Sequence, residues 1–372
     1  LTVGTDVTLR AVSNDGQASV RNAPLVFVGY GITAPERNWD DYGDVDVRGK
    51  VVIVMGGEPE GELFNGAYDT NYESAAYKAD EAFRRGAVGI VTLVPASASS
   101  PDWQRAARFA GRTRTMVPGA ADLEFSMGVN HDVALQWANA AGLDVTRFGD
   151  IGSGAFKAVP LNGVTLTAET RETTETLVTH NLLARIPGTE RPNETIIYSA
   201  HWDHVGGEAQ HPNTPGEDKI FNGAWDNASG TVGVVEMARQ ISQAPRPARS
   251  IVFAHMAAEE MGLMGAYGYA ADPVWPLETT VADINIDMLP LSGPTRDIPI
   301  FGKGQNELED RLQALAEPLG RYVTDDSMPE QGFYYRSDHF PFARMGVPAI
   351  MPWHGWDWVD GGKEAGEAAW RA

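Results

Sequence analysis

Glu194-Thr-Ile-Ile-Tyr-Ser-Ala-His201-Trp-Asp203-His204 is an apolar run that ends abruptly in charge. Its β-branched and aromatic residues read as a strand, with His201 and Asp203 at the carboxyl end. The pattern recurs twice. Ser250-Ile-Val-Phe-Ala-His-Met-Ala runs into Ala258-Glu259-Glu260, and Val281-Ala-Asp-Ile-Asn-Ile runs into Asp287. Helical spacing lies between and beyond them, over residues 228–243 (with Val232, Val235 and Met237 in its spacings), about 262–271, and Glu307 to Leu319. Val347-Pro-Ala-Ile-Met reads as a late strand. This alternation predicts an α/β fold, a mixed sheet flanked by helices. Ligands of such sheets bind beyond the carboxyl ends of the strands, where His201, Glu259, Glu260 and Asp287 all fall.

Asn222-Gly-Ala-Trp-Asp226-Asn-Ala-Ser-Gly supplies a further carboxylate just before the 228–243 helix. An aspartate there can cap the helix; it can also join the histidine and carboxylates at the sheet edge. His201, Asp226, Glu260 and Asp287 are suitable zinc ligands, since zinc takes imidazole nitrogen and carboxylate oxygen. A pair of such ions needs a carboxylate to bridge them and a base nearby. Glu259 adjoins Glu260, and neighbours in an extended backbone point to opposite sides. One can bind metal while the other serves as general base. Asp203, two residues from His201, is placed to receive the second N–H of the imidazole. Taken singly, Glu259-Glu260 would read as a solvated pair; the buried strand before it and the glycines after it favour the site.

Upstream, residues 1–172 read as a separate module and 173–372 as the second. Ala23-Pro-Leu-Val-Phe-Val, Gly49-Lys-Val-Val-Ile-Val-Met and Val88-Gly-Ile-Val-Thr-Leu-Val read as strands, and Tyr72–Arg85 and Asp132–Ala141 as helices. Residues 95–130, rich in Ala, Ser, Pro and Gly, read as a long loop. Thr165 to Glu175 reads as a strand leading out of the module.

Composition narrows the classes. The 372 residues are 43% hydrophobic, enough for sizeable cores in two domains. The net charge of −21 argues against nucleic acid, which needs a basic footprint, and against anionic membranes. With 0 cysteines there are no disulfides, thiolate nucleophiles or thiolate metal sites. No apolar run approaches the roughly 18–20 residues of a membrane span. The chain begins at Leu1 without a charged-then-apolar leader, and reads as a mature form or a fragment.

The ordered set H-x-D, N-G-A-x-D-N-A-S-G, E-E-x-G-L-x-G and N-x-D-M resembles the co-catalytic zinc aminopeptidases, metallopeptidase family twenty-eight, over roughly residues 176–352. That family also holds glutamate carboxypeptidase II and the glutaminyl cyclases. The resemblance implies a zinc exopeptidase-like fold, and the first module is similar to the protease-associated domain that many relatives carry. It implies one zinc on His201, Asp226 and Asp287, a second on bridging Asp226 and Glu260, Glu259 as general base, and Asp203 behind His201. It implies a peptide substrate, and an extracytoplasmic (periplasmic or secreted) location. Arg336-Ser-Asp-His339-Phe-Pro-Phe matches a late family element near the substrate pocket. The family's second zinc takes a last histidine from a Tyr-His element, and no such pair follows residue 287. The second site is therefore expected to be incomplete, with the chain trimmed at both ends; His339 could substitute, but the resemblance more often makes Asp338 and His339 residues that line the pocket or support a ligand.

The reading that follows is a two-zinc aminopeptidase. Its alternatives are a glutamate-carboxypeptidase-like enzyme, which needs a basic cluster that does not stand out near the motifs, a single-metal glutaminyl cyclase, and a degenerate peptidase acting as a binding module. His204 and His211, in the loop after the first ligand, are expected to face solvent. His255 is expected to be a hydrogen-bonded core histidine. Trp202, Trp225, Trp353, Trp356 and Trp358 either line a pocket or pack, and Tyr334 and Tyr335 are candidate oxyanion donors.

Overall fold

A computed structural model describes the chain except for residues 14, 65–69, 95, 112–122, 143–156, 208–219, 292 and 372. It contains two compact units, Leu1–Thr176 and Leu177–Ala372.

In the first unit, the strands are β1 (Val7–Ala11), β2 (Gln17–Phe27), β3 (Thr33–Ala34), β4 (Trp39–Asp40), β5 (Val51–Met55), β6 (Gly89–Leu93), β7 (Phe125–Val129) and β8 (Val159–Arg171), and the helices α1 (Ala75–Arg84), α2 (Pro101–Ala110) and α3 (His131–Ala140). Six strands form one sheet in the order β1-β7-β6-β5-β2-β8. Its interior strands run parallel, while β1 and β8 lie antiparallel on the edges. The run Val51-Val-Ile-Val is buried throughout because both sheet faces are covered: Val51 and Ile53 enter one core, Val52 and Val54 the other. Residues 95–130 depart from the expected long loop. They contain α2, whose Trp103 is 1% exposed, and β7, which completes the parallel ladder. Ala and Ser composition concealed a helix that the buried Trp103 anchors.

The second unit holds β9 (Leu182–Ile186), β10 (Arg191–His201), β11 (Arg249–Met256), β12 (Thr280–Asn285), β13 (Asp297–Pro299), β14 (Tyr322–Thr324) and β15 (Ala349–Ile350), with α4 (Gly230–Gln243), α5 (Met264–Ala271), α6 (Leu308–Ala316), α7 (His339–Arg344) and α8 (Gly362–Arg371). The main sheet has the order β15-β12-β10-β11-β9. Only β9 runs antiparallel, so the sheet is mixed as expected. The alternation along β11 sorts its side chains. Ile251 and Phe253 pack with Val234, Met237, Ala238 and Ile241 of α4. Val252, Ala254 and Met256 pack with Ala266 and Tyr269 of α5 and Phe342 of α7. Helices therefore cover both faces, and burying each such aliphatic side chain contributes about 1.5–3 kcal/mol. Because β10, β11 and β12 are parallel neighbours, their carboxyl ends open at one edge.

Candidate metal centre

His201 is the last residue of β10, Asp287 lies two residues beyond β12, and Glu259 and Glu260 follow β11 by three and four. The parallel register gathers these side chains. Asp226 arrives from the irregular turn Ala224–Ser229 ahead of α4. It is not the cap: Asn227 Oδ1 accepts from the backbone N–H of Gly230 at 2.8 Å, and its Nδ2 donates to the carbonyl of Ile286 at 3.0 Å. Asn227 pins the start of α4 to the segment after β12 that carries Asp287, so that Asp226 is not taken up by capping. A Cβ at Gly230 would sit 2.2 Å from the Ile286 carbonyl oxygen and 2.4 Å from Asn227 Oδ1. Gly230→Ala is expected to cost roughly 1–3 kcal/mol by overpacking against rigid backbone, read as a lower denaturant midpoint at unchanged m-value.

His201 Nε2 lies 3.1 Å from Asp226 Oδ1 and 3.4 Å from Asp287 Oδ1. Zinc bonds of about 2.0–2.2 Å place tetrahedral ligand atoms about 3.3–3.6 Å apart, so these three atoms are spaced as ligands of one ion. Asp287 divides its two oxygens. Oδ2 accepts from Ser337 Oγ at 2.7 Å, while Oδ1 is buried with no hydrogen-bond partner. Ser337 is itself held by Asn285 Nδ2 at 2.6 Å. Asn285 and Asp287 share a face by their i, i+2 spacing. The sequence showed both motifs but not this relay, because Ser337 comes from a segment far along the chain.

The electrostatics favour a cation. Burial alone would push the His201 ring down, but contact with Asp226 and Asp287, aided by Glu259, raises it to about 12. Burial, with Asp338, Asp287 and Glu260 adding to it against His201, pushes Glu259 up to about 9. Asp226 is held below its ordinary range: burial would raise it, but His201 and His204 more than compensate. A divalent ion satisfies the same carboxylates while leaving the imidazole neutral, as metal ligation requires. The donor set of one imidazole and carboxylates, with no thiolate, fits zinc.

Several expected placements change. Glu259 and Glu260 do not lie in extended backbone. Ala258 has φ +55° and the pair sits in a turn, where the backbone N–H of Leu263 donates to the Glu259 carbonyl. The two side chains still diverge: Glu259 Oε2 approaches His201 Nε2 at 4.0 Å, and Glu260 Oε1 approaches His204 Nδ1 at 2.7 Å. Asp203 does not hold the imidazole by its carboxylate, which stands 3.8 Å from His201 Nδ1. The Asp203 backbone carbonyl takes that place at 3.0 Å, and the carboxylate accepts from the backbone N–H groups of Glu259 and Glu260 at 3.1 and 3.3 Å. Asp203 thus fixes the turn that presents both glutamates.

His204 is not solvated; its side chain is 23% exposed and joins Asp226 and Glu260 in a second cluster of potential ligand atoms. His211 lies outside the described residues. His339 does not substitute as a ligand. It is fully buried against Tyr334, both ring nitrogens lack partners, and burial pushes it down to about 3. Asp338 is likewise fully buried, and burial raises it to about 7. His255 Nδ1 is buried without a hydrogen-bond partner. Tyr334 and Tyr335 are absent from the walls of the cleft over the acidic groups, about 120 Å³, which Met288, Phe301, Phe333, Met351, Trp353 and Arg336 help to form. A neighbouring aromatic pocket of about 230 Å³ takes Trp225, Trp356, Trp358 and Trp370 around His354. Trp202 is exposed and donates to the His180 carbonyl.

The profile of Peptidase family M28 matches residues 181–367, a span that holds all four motifs. The chain belongs to peptidase family M28. Among curated relatives, a probable lipoprotein aminopeptidase, LpqL, of Mycobacterium tuberculosis is 26% identical over 49% of this chain and 36% of its own. Aminopeptidase NAALADL1 of Mus musculus is 33% identical over 31% of this chain and 14% of its own. The matched regions thus span well under two thirds of either relative. The solved aminopeptidase from Aneurinibacillus sp. strain AM-1 is 20% identical, with a TM-score of 0.41 over 95% of this chain and 72% of its own. Among the described residues no helix is long and apolar enough to cross a membrane.

Proposed function

We propose that the chain is a two-zinc aminopeptidase, removing N-terminal residues from peptides. The observation that carries this reading is the sharing of Asp226 between two donor clusters, His201–Asp226–Asp287 and His204–Asp226–Glu260. His201, Asp226 and Asp287 would hold one ion, and Asp226 with Glu260 the other. The chemistry a bound pair would supply is Lewis acidity toward the scissile carbonyl and the attacking water. Glu259, buried beside both clusters and bonded to neither, takes the proton from that water and returns it to the leaving amine. Asp203 holds Glu259 and Glu260 in register through their backbone N–H groups.

Three features favour the amino end of the substrate. The cleft is lined by Asp226, Glu259, Glu260 and Asp287, which attract an ammonium group. Arg336 is the one cation among its described lining residues, short of the basic cluster that a carboxypeptidase needs. The curated relatives named above carry the name aminopeptidase. The name lipoprotein on the first of them supports an extracytoplasmic location. We read residues 1–172 as the protease-associated-like domain and 173–372 as the catalytic one.

Aminoacyl-nitroanilides with free amines should be hydrolysed, and their N-acetyl forms should not. Chelator should abolish the activity and zinc should restore it. Hydrolysis that survives exhaustive chelation contradicts the proposal.

A further inference from the structure

We infer that His204 is a protein ligand of the second zinc, binding through Nδ1 beside Glu260 and the shared Asp226. The inference rests on the two-zinc reading above.

The geometry is specific. His204 Nδ1 lies 2.7 Å from Glu260 Oε1 and 4.0 Å from Asp226 Oδ1. The ligand atoms of the three residues all fall within 4.8 Å of one another. Nδ1 and Oε1 are both buried, yet neither has a hydrogen-bond partner, so the close pair does not have the alignment of an N–H···O bond. With Asp226 Oδ1 beside them, this imidazole nitrogen and carboxylate oxygen are grouped as donors to a common cation, which would relieve their close approach. The backbone makes room for the ring. Gly223 has φ +65°, and a Cβ there would meet His204 Cβ at 2.7 Å and Cγ at 2.8 Å. The bend after β10 then sends both His201 and His204 toward Asp226. Their nitrogens approach the same oxygen, His201 Nε2 at 3.1 Å and His204 Nδ1 at 4.0 Å. Ligation by Nδ1 leaves the ring proton on Nε2.

The competing role is that of a positioning residue, in which Nδ1–H donates to Glu260 and only orients it. The two differ in where the Nδ1 lone pair goes. The full chain is loaded with cadmium-113 after labelling its histidine rings with nitrogen-15. The inference predicts two ions per chain and scalar coupling of cadmium to His201 Nε2 and to His204 Nδ1. His204→Ala should weaken the second ion's binding by more than about 100-fold, beyond the 10–100-fold typical of residues that only support a ligand. The first ion's affinity and the melting temperature of the metal-free protein should not change. Two ions in the wild type with no coupling at Nδ1, and a loss under about tenfold in His204→Ala, would overturn the inference and leave the two-zinc reading standing. A single ion in the wild type would overturn that reading, and this inference with it.

Discussion

Replacing Glu259 by glutamine should leave metal content unchanged and lower kcat by roughly a hundred- to ten-thousandfold, the range assigned to a lost general base. The substitution keeps the shape and burial of the side chain but removes its proton affinity. Glu259 is not among the atoms that cluster around either prospective ion. Its Oε2 stands 4.0 Å from His201 Nε2. The turn that carries it is fixed by Asp203 through its backbone N–H, not its side chain. Burial pushes this carboxyl up to about 9 without metal; cations bound beside it would favour the ionised form that a base needs. The fall should therefore appear in kcat with little change in KM. A variant that loses metal or unfolds would instead place Glu259 among the ligands or in the core.

The largest effect is expected at Asp226. Asp226→Ala should take activity to background and remove both ions together, because this carboxylate belongs to both donor clusters. Either cluster alone would keep one histidine and one acid, too few to hold zinc tightly. Stability gives a second readout. At a zinc concentration about 100 times its Kd, the wild type should gain about 2.7 kcal/mol; the variant should gain almost nothing. Asp226 also makes no capping bond to α4, since Asn227 serves that end. The metal-free variant should accordingly melt close to the metal-free wild type. Loss of only one ion would show that the clusters do not share Asp226.

Much of the second unit was legible because its strands declare themselves twice, by apolar runs and by the charges that end them. His201 and Asp287 could be placed at a sheet edge from β10 and β12 alone. What sequence could not show was the path of the chain after each strand. The turn at Ala258 replaced an expected extended backbone, and with it the reason for the divergence of Glu259 and Glu260. Asp203 kept its importance but exchanged roles between carboxylate and carbonyl, a difference of rotamer and turn geometry that spacing does not encode. Ser337 and Asn285 were visible as letters in motifs, but their relay to Asp287 is a tertiary contact between β12 and the approach to α7. His204 looked like a loop residue because glycines and polar residues surround it; the missing side chain of Gly223 is what leaves room for its ring. In the first unit, α2 was hidden by small residues that suit a loop as well as a helix.

The most direct test of the account is anomalous scattering at the zinc edge from crystals of the full chain grown with zinc. The account predicts two peaks on either side of the Asp226 carboxylate, one beside His201 and Asp287 and the other beside Glu260. A single peak, or two that do not flank Asp226, would contradict it.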